Sequence, residues 1–191
     1  MSLRIYGNRL LKTLSGEQTR PTAARVREAV FNVWQGSISG CRWLDLCAGA
    51  GTMSAEALCR GAVEVVAMEQ SPRALAIIRE NLQRVKQGDQ TVEILRGDLM
   101  ARLKSLQGRQ FDRMYFDPPY ASSLYQPVLA AIAQYELLAP DGEIAVEHRR
   151  DRLTIEPIPT LEILRERRYS NTTVTFIGLS DESLRELQKI K

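Results

Sequence analysis

The clearest indication of the fold is the segment Leu44-Asp45-Leu46-Cys47-Ala48-Gly49-Ala50-Gly51-Thr52. It joins an apolar strand candidate, Arg42–Leu46, to a segment with helical spacing, Thr52–Arg60, through a turn that contains two glycines. Glycines at a strand-to-helix turn let the backbone approach a ligand closely, and the N–H groups at the helix start then face that ligand. The stretch therefore predicts a ligand-binding loop at the first strand–helix unit of a parallel sheet.

Strand candidates and helical segments alternate after this loop. The strand candidates are Glu64–Met68, Val92–Leu95, Arg113–Phe116 and, after a turn at Pro140-Asp141-Gly142, Glu143–Glu147. The helical segments run from Pro72 to about Lys86 and from about Leu124 to Leu137, and the short segment Leu99–Leu106 separates the third of these strand candidates from the one before it. Two last strand candidates, Leu161–Arg168 and Thr172–Ile177, lie too close together for a helix between them and predict an antiparallel hairpin. We therefore predict an α/β fold, a Rossmann-like doubly wound and mostly parallel seven-stranded sheet with one antiparallel strand.

The first 40 residues follow a different pattern. Leu3–Tyr6 and Leu10–Leu14 flank a glycine-containing turn and predict a small hairpin, and a helix follows from Pro21. Residues 1–35 contain six basic and two acidic side chains, whereas the rest of the chain carries a net charge of −1. We therefore predict a hairpin and helix extension over residues 1–40 that meets phosphate, attached to a sheet domain over residues 41–191.

Composition excludes several classes of protein. The 191 residues are 44% hydrophobic and 26% charged, which is typical of a globular chain and not of a disordered one. No apolar run approaches the roughly 20 residues of a membrane span, and the first residues lack an apolar signal core, so we expect a cytoplasmic protein. Three cysteines and one histidine match no familiar metal-ligand spacing, and no metal is expected.

Three carboxylates occur at the carboxyl ends of successive predicted strands. Asp45 ends the first strand, Glu69 ends the second strand 18 residues after Gly51, and Asp98 follows the third. An acid at the second position can accept ribose hydroxyls, and one at the third can reach an adenine amine. Ser54 stands where a nicotinamide fingerprint would have its third glycine, and Asp45 suits a cationic amino-acid group instead.

Asp117-Pro118-Pro119-Tyr120 directly follows the fourth strand candidate. The two prolines fix the backbone and remove two N–H donors, which leaves carbonyl groups free to accept hydrogen bonds. The Asp117 carboxylate and the Pro118 carbonyl can accept the two N–H bonds of an exocyclic base amine, and Tyr120 can stack on the base. The motif therefore predicts methylation of such an amine.

These motifs together resemble the S-adenosylmethionine-dependent amino-methyltransferases and, within them, the RsmD family, which methylates the exocyclic N2 of one guanine in bacterial small-subunit (16S) ribosomal RNA. The matching segments are Arg4–Gly7, Thr19–Thr22, Val26–Asn32, Leu44–Leu46, Ala48-Gly49, Gly51, Glu56–Leu58 and Arg60–Ala62. Cys47, Met53, Ser54 and Ser170 depart from the family pattern. The resemblance implies the class I methyltransferase fold and a monomer that acts on 16S rRNA, within an assembling small subunit or on the free RNA.

The resemblance also implies a role for each matching position. The implied cofactor-binding residues are Asp45, Ala48, Gly49, Gly51, Glu69, Asp98 and Leu99. The implied catalytic residues are Asp117, Pro118 and Tyr120, and the implied RNA-binding residues are Arg4, Arg9, Lys12, Arg20 and Thr22.

Two alternatives stay open at this point. The first is methylation of DNA at adenine N6 or cytosine N4, because those amines need the same hydrogen-bond acceptors. The second is an RNA-binding assembly module that keeps a cofactor fold but does not catalyse.

Overall fold

The computed structural model describes residues 2–14, 21–119, 123–150 and 155–190. The chain divides into two compact units, Met1–Leu99 and Met100–Lys191. The elements of the first unit are β1 (Ser2–Ile5), β2 (Arg9–Lys12), α1 (Pro21–Val33), β3 (Arg42–Asp45), α2 (Thr52–Cys59), β4 (Glu64–Glu69), α3 (Pro72–Val85) and β5 (Thr91–Arg96). The later elements are α4 (Leu99–Ser105), β6 (Phe111–Phe116), α5 (Tyr125–Gln134), β7 (Leu138–Arg149), β8 (Leu161–Tyr169), β9 (Thr172–Leu179) and α6 (Asp181–Ile190).

Seven strands form one sheet in the order β5-β4-β3-β6-β7-β9-β8, and β1 and β2 form a separate two-stranded sheet. In the first unit, β3 pairs with β4 and β4 with β5, all in parallel. This arrangement confirms the predicted α/β sheet. Among the described residues, no helix combines the length and the apolar character that crossing a membrane requires.

Buried aromatic and aliphatic side chains hold the first unit together. Trp43 on β3 is fully buried and stacks on Phe31 of α1, with ring centroids 5.4 Å apart. Helix α3 begins as the sequence predicts, because the Ser71 side chain accepts a hydrogen bond from the Ala74 N–H and Pro72 occupies the first turn. The ring contact therefore holds α1 against β3, the strand that leads into the glycine loop, and the cap fixes where α3 begins.

The predicted turn at Pro140-Asp141-Gly142 is wrong, because these residues belong to strand β7. Strands β6 and β7 are parallel, and their register shifts between Phe111 and Arg113, so this part of β7 bulges instead of turning. A side chain at Gly142 would meet the backbone oxygens of Ala139 and Phe111 at 2.8 and 2.9 Å. Glycine therefore permits the close approach that the bulge requires.

Among the described strands of the second unit, β9 is the antiparallel one; it lies between β7 and β8 and pairs antiparallel with both. It is thus inserted one position inside the sheet edge, and β8 forms that edge. Ser170 in the β8–β9 turn has φ +54°, a left-handed conformation that favours glycine. The departure of Ser170 from the family pattern therefore falls on a strained turn position.

Candidate functional site in a glycine loop and at a strand end

The glycine loop between β3 and α2 is fixed by backbone hydrogen bonds and by close packing. The Ala48 N–H donates to the Met68 carbonyl at 2.9 Å, and the Gly51 N–H donates to the Ala48 carbonyl at 2.7 Å. Gly51 has φ +75°, and a Cβ there would lie 2.5 Å from Cγ1 of Ile78 on α3. Glycine is therefore required at position 51 by conformation and by packing together.

Glu69 at the end of β4 closes this loop. Its Oε2 accepts the Gly49 N–H at 2.8 Å, and its Oε1 accepts the Ser71 N–H at 2.7 Å. A carboxylate has about four acceptor positions, so further donors such as ribose hydroxyls can still bind there. The Gly97 N–H donates to the Glu69 carbonyl at 3.3 Å, which links the end of β5, beside exposed Asp98, to the end of β4.

Asp45 is the buried acid of the site. Burial, together with the like charge of Glu69, raises its pKa to about 6, although the Ser54 hydroxyl opposes this shift by donating a hydrogen bond to Oδ2 at 2.7 Å. A bound cation relieves the cost of such a charge, because an opposite charge favours the ionised form. Ser54, which the sequence shows only as a departure from the pattern, thus orients Asp45.

The donors and acceptors of this unit fit an adenosylated amino acid. Helix α2 starts at Gly51 without a side-chain cap, so its first N–H groups can bind a ligand carboxylate. Asp45 can pair with an ammonium group, and Glu69 can accept hydroxyl donors. Ala48 is buried within the loop, and Leu99 is half-buried at the start of α4.

Asn81 is a residue of this unit that the sequence analysis missed. Its fully buried amide donates from Nδ2 to the Lys12 carbonyl at 2.9 Å and to the Ala50 carbonyl at 2.8 Å, and its Oδ1 accepts the Lys12 N–H at 2.8 Å. One side chain of α3 therefore ties the backbone of hairpin strand β2 to the glycine loop. The available signal was a polar residue within the otherwise apolar face of α3.

The predicted RNA-binding side chains of the hairpin have partners within the protein. Lys12 forms an ion pair with Glu80 at 2.7 Å, and its hydrogen bond holds the pKa of the Glu80 carboxyl below its ordinary value. Arg4 donates to Asn8 Oδ1 at 2.6 Å, and Arg9 donates to the Val85 carbonyl at 3.5 Å. Arg20 and the side chain of Thr22 lie outside the described residues.

A buried ion-pair network holds the hairpin from the other side. Glu56 on α2 accepts from Arg27 Nε at 2.6 Å and from Arg60 at 2.7 Å, and Arg27 also donates to the Arg4 carbonyl at 3.2 Å. The Arg60 guanidinium lies 4.4 Å from the centre of the Tyr6 ring. The hairpin is therefore fixed to α1 through Arg27 and to the end of α2 through Arg60.

The second unit presents Asp117 and Pro118 directly after strand β6. Asp117 is half-buried and Pro118 is buried, while Tyr120 lies outside the described residues. On neighbouring β7, Glu147 is buried and accepts a hydrogen bond from the Tyr115 hydroxyl, and its carbonyl accepts one from Tyr125 at 3.2 Å.

His148 follows in the same strand and is a packed structural residue. Its ring nitrogens contact Thr175 Oγ1 and the Arg149 carbonyl, each at 2.9 Å, and burial lowers its pKa. Within the described ranges, no group of three or more His, Cys, Asp and Glu side chains is arranged to hold a metal ion, and no disulfide joins the three cysteines.

Comparison with known proteins identifies relatives that are named as methyltransferases. The chain is 32% identical over 168 residues to YlbH of Bacillus subtilis, which is named as a candidate rRNA methyltransferase; the match covers 87% of this chain and 91% of the relative. It is 30% identical over 154 residues to ribosomal RNA small subunit methyltransferase D of Haemophilus influenzae, and this match covers 80% of each chain.

A solved structure and a family profile extend this likeness to nearly the whole chain. A candidate methylase of Haemophilus influenzae superposes with a TM-score of 0.78 and 25% identity, over 94% of this chain and 100% of that one. The profile of the family described as "conserved hypothetical protein 95" matches residues 3–178. The chain therefore belongs to that family, which is the RsmD family.

Proposed function

We propose that this protein transfers a methyl group from S-adenosylmethionine to the exocyclic N2 amine of a guanine in small-subunit ribosomal RNA. The observation that carries the proposal is the rigid Asp117-Pro118-Pro119 segment, which directly follows strand β6 in a chain of the RsmD family. The names of its relatives support rRNA as the substrate class. The proposal includes a cytoplasmic location and action as a monomer.

In the proposed reaction, the Asp117 segment binds the guanine amine and makes its nitrogen more nucleophilic. An exocyclic guanine nitrogen is a weak nucleophile, because its lone pair is delocalised into the ring. In the proposed complex, the Asp117 carboxylate and the Pro118 carbonyl accept its two N–H bonds, which localises the lone pair and stabilises the positive charge that develops on nitrogen. Tyr120 stacks on the base and holds the nitrogen in line for attack. The cofactor supplies an electrophilic methyl group when it is bound.

The residues of the glycine loop then have separate proposed roles. Asp45 pairs with the ammonium group of the cofactor, and Ala48, Gly49 and Gly51 leave room for its methionine part. Glu69 accepts the ribose hydroxyls through its remaining lone pairs.

The adenine end of the cofactor and the RNA have further proposed partners. Asp98 accepts the adenine amine, beside Leu99. The hairpin and helix extension over residues 1–40 contacts RNA phosphates. The proposed contacts there are Arg4, Arg9, Lys12, Arg20 and Thr22.

The test is a methyl-transfer assay with radiolabelled S-adenosylmethionine and three substrates: small ribosomal subunits, free 16S rRNA and duplex DNA. Nucleosides from the labelled product are then separated and identified. N2-methylguanosine from either RNA substrate is the expected product. N6-methyladenine or N4-methylcytosine from DNA would replace the proposal with DNA methylation, and no label in any substrate would support a non-catalytic assembly module.

Asp117→Ala tests the catalytic role within the same assay. We expect roughly 10³-fold slower methyl transfer, because one hydrogen-bond acceptor of the transition state is lost, while binding of the product S-adenosylhomocysteine remains unchanged. Asp141→Ala is the matched control, since it removes an exposed carboxylate in the β7 bulge of the same unit. Equal turnover of the two variants would overturn the role of Asp117.

A further inference from the structure

Four exposed arginines gather at the carboxyl ends of strands β7 and β8. Arg149 is the last residue of β7 and Arg150 follows it, while Arg167 and Arg168 lie near the end of β8. The sequence separates the two pairs by 16 residues, and the chain after residue 35 has a slightly negative net charge. Strand pairing therefore brings the two arginine pairs near each other, and the distribution of charge along the sequence does not reveal the cluster.

The strand register places Arg167 and Arg168 one or two residues before the level of Arg149, near the same end of the sheet. Thr172 of β9 pairs with Arg149 of β7 on one side and with Tyr169 of β8 on the other. The Arg150 N–H donates to the Asn171 carbonyl in the β8–β9 turn at 2.9 Å. Because neighbouring strands are about 4.8 Å apart, the two arginine pairs are separated by about 10 Å along the sheet.

This cluster lies at the same edge of the second unit as the Asp117 motif. Strands β6 and β7 are parallel with Phe116 opposite Val146, so Asp117, which follows β6, and Arg149, the last residue of β7, lie at the same end of the sheet. Three strand spacings separate β6 from β8, which is about 14 Å. A nucleotide whose base lies at Asp117 would therefore have its neighbouring backbone within reach of the arginines.

Arg167 and Arg168 stay exposed although both contact Glu166. Arg168 is 3.6 Å from Glu166 in an exposed pair, and Arg167 donates to the Glu166 carbonyl at 3.0 Å. Glu147 is buried and accepts from the Tyr115 hydroxyl. The neighbouring Arg165 is different, because it pairs with Glu143 and lies over the Phe176 ring, and it is not part of the cluster.

We propose that Arg149, Arg150, Arg167 and Arg168 form a second RNA-binding surface, which holds the phosphates beside the target nucleotide. Guanidinium groups bind phosphate oxygens with two parallel hydrogen bonds, and an arginine-only cluster suits this geometry. The surface rests on the proposed function for its RNA substrate. It adds to the hairpin of the first unit, whose Lys12 is engaged by Glu80.

Two paired variants test the surface, R149Q/R150Q and R167Q/R168Q. Their affinity for a fluorescent 16S rRNA transcript is measured from low to high salt. Losing two phosphate contacts lowers the slope of log affinity against log salt concentration by about 1.4 in magnitude. It also weakens binding roughly tenfold at about 0.15 M salt. We expect a higher KM for RNA, with kcat at saturating RNA and affinity for S-adenosylhomocysteine unchanged.

R185Q/K189Q on α6 is the matched control, because it removes the same two charges from exposed helical positions. Thermal melts verify that all three variants are folded. Binding and salt dependence equal to those of the control would overturn the surface. The binding assay needs no turnover, so a wild-type chain that binds RNA without methylating it would overturn the proposed function and leave the surface to be decided by these variants.

Discussion

Asn81→Asp exchanges one amide NH₂ group for an oxygen at the point where the hairpin meets the glycine loop. In the native chain that NH₂ group donates to the carbonyls of Lys12 and Ala50, at 2.9 and 2.8 Å, within a fully buried site. After the exchange, a carboxylate oxygen faces both carbonyl oxygens. The Lys12 N–H still has its acceptor.

The expected cost follows from these contacts. Each lost hydrogen bond removes about 1 kcal/mol, and a buried charge without a partner adds a similar or larger amount, so the free energy of unfolding falls by about 3 kcal/mol at neutral pH. Burial and the two carbonyls raise the pKa of the introduced carboxyl in the folded chain. Protonation then restores one donor, so the cost is smallest below the ordinary carboxyl pKa and grows as pH rises through the raised value.

Thermal unfolding at about pH 7.5 and about pH 4.5 measures this effect. A loss of about 3 kcal/mol lowers Tm by about 6–12 °C in a chain of this size, and the loss shrinks at the lower pH. Gln83→Glu is the matched control, because it adds the same charge to an exposed position of α3. A Tm for Asn81→Asp equal to that of the control, or a loss of stability independent of pH, would contradict the proposed role of the Asn81 amide.

Three other changes have defined outcomes. Gly51→Ala places a Cβ 2.5 Å from Ile78 Cγ1 at φ +75°; it lowers the free energy of unfolding by at least about 2 kcal/mol, and a urea-denaturation cycle with Ile78→Ala shows less than additive loss. Burial raises the pKa of Asp45 to about 6, so the free energy of unfolding of the native chain, relative to that of Asp45→Asn, declines by about 3 kcal/mol as pH rises from about 4 to about 7. Urea denaturation measures this difference, and a difference that does not change with pH would contradict the prediction. Glu56→Gln leaves Arg27, which is 6% exposed, without its buried counter-charge and costs about 3 kcal/mol, part of which Arg27→Met in the same chain recovers; no recovery would contradict the ion-pair explanation.

Local sequence patterns were sufficient for most of the fold. The strand–glycine–helix stretch predicted β3 and α2, and the Ser71-Pro72 pair predicted the start of α3. The short interval before Thr172 predicted the β8–β9 hairpin, because no helix fits in it. The turn predicted at Pro140-Asp141-Gly142 was wrong, since the residue types of a turn also suit a bulge and only the pairing of β6 with β7 distinguishes the two.

The sequence predicted those residues of the candidate site whose positions are set by a local motif. Asp45, Glu69 and the two glycines occupy the loop and strand ends that the spacing predicted. Ser54 and Asn81 were not predicted as partners, because their roles come from contacts with Asp45 and with the Ala50 carbonyl. Such contacts depend on how helices pack on the sheet, which local spacing does not encode.

Turn chemistry and hydrophobic period act over a few neighbouring residues, so they were enough to predict the succession of strands and helices, the glycine loop and the Asp117 segment. Tertiary contacts were needed to show that Asn81 joins the hairpin to the loop and that Arg149 and Arg168 lie near the same end of the sheet. Strand pairing and helix packing set these distances, and they bring together side chains that lie far apart along the chain.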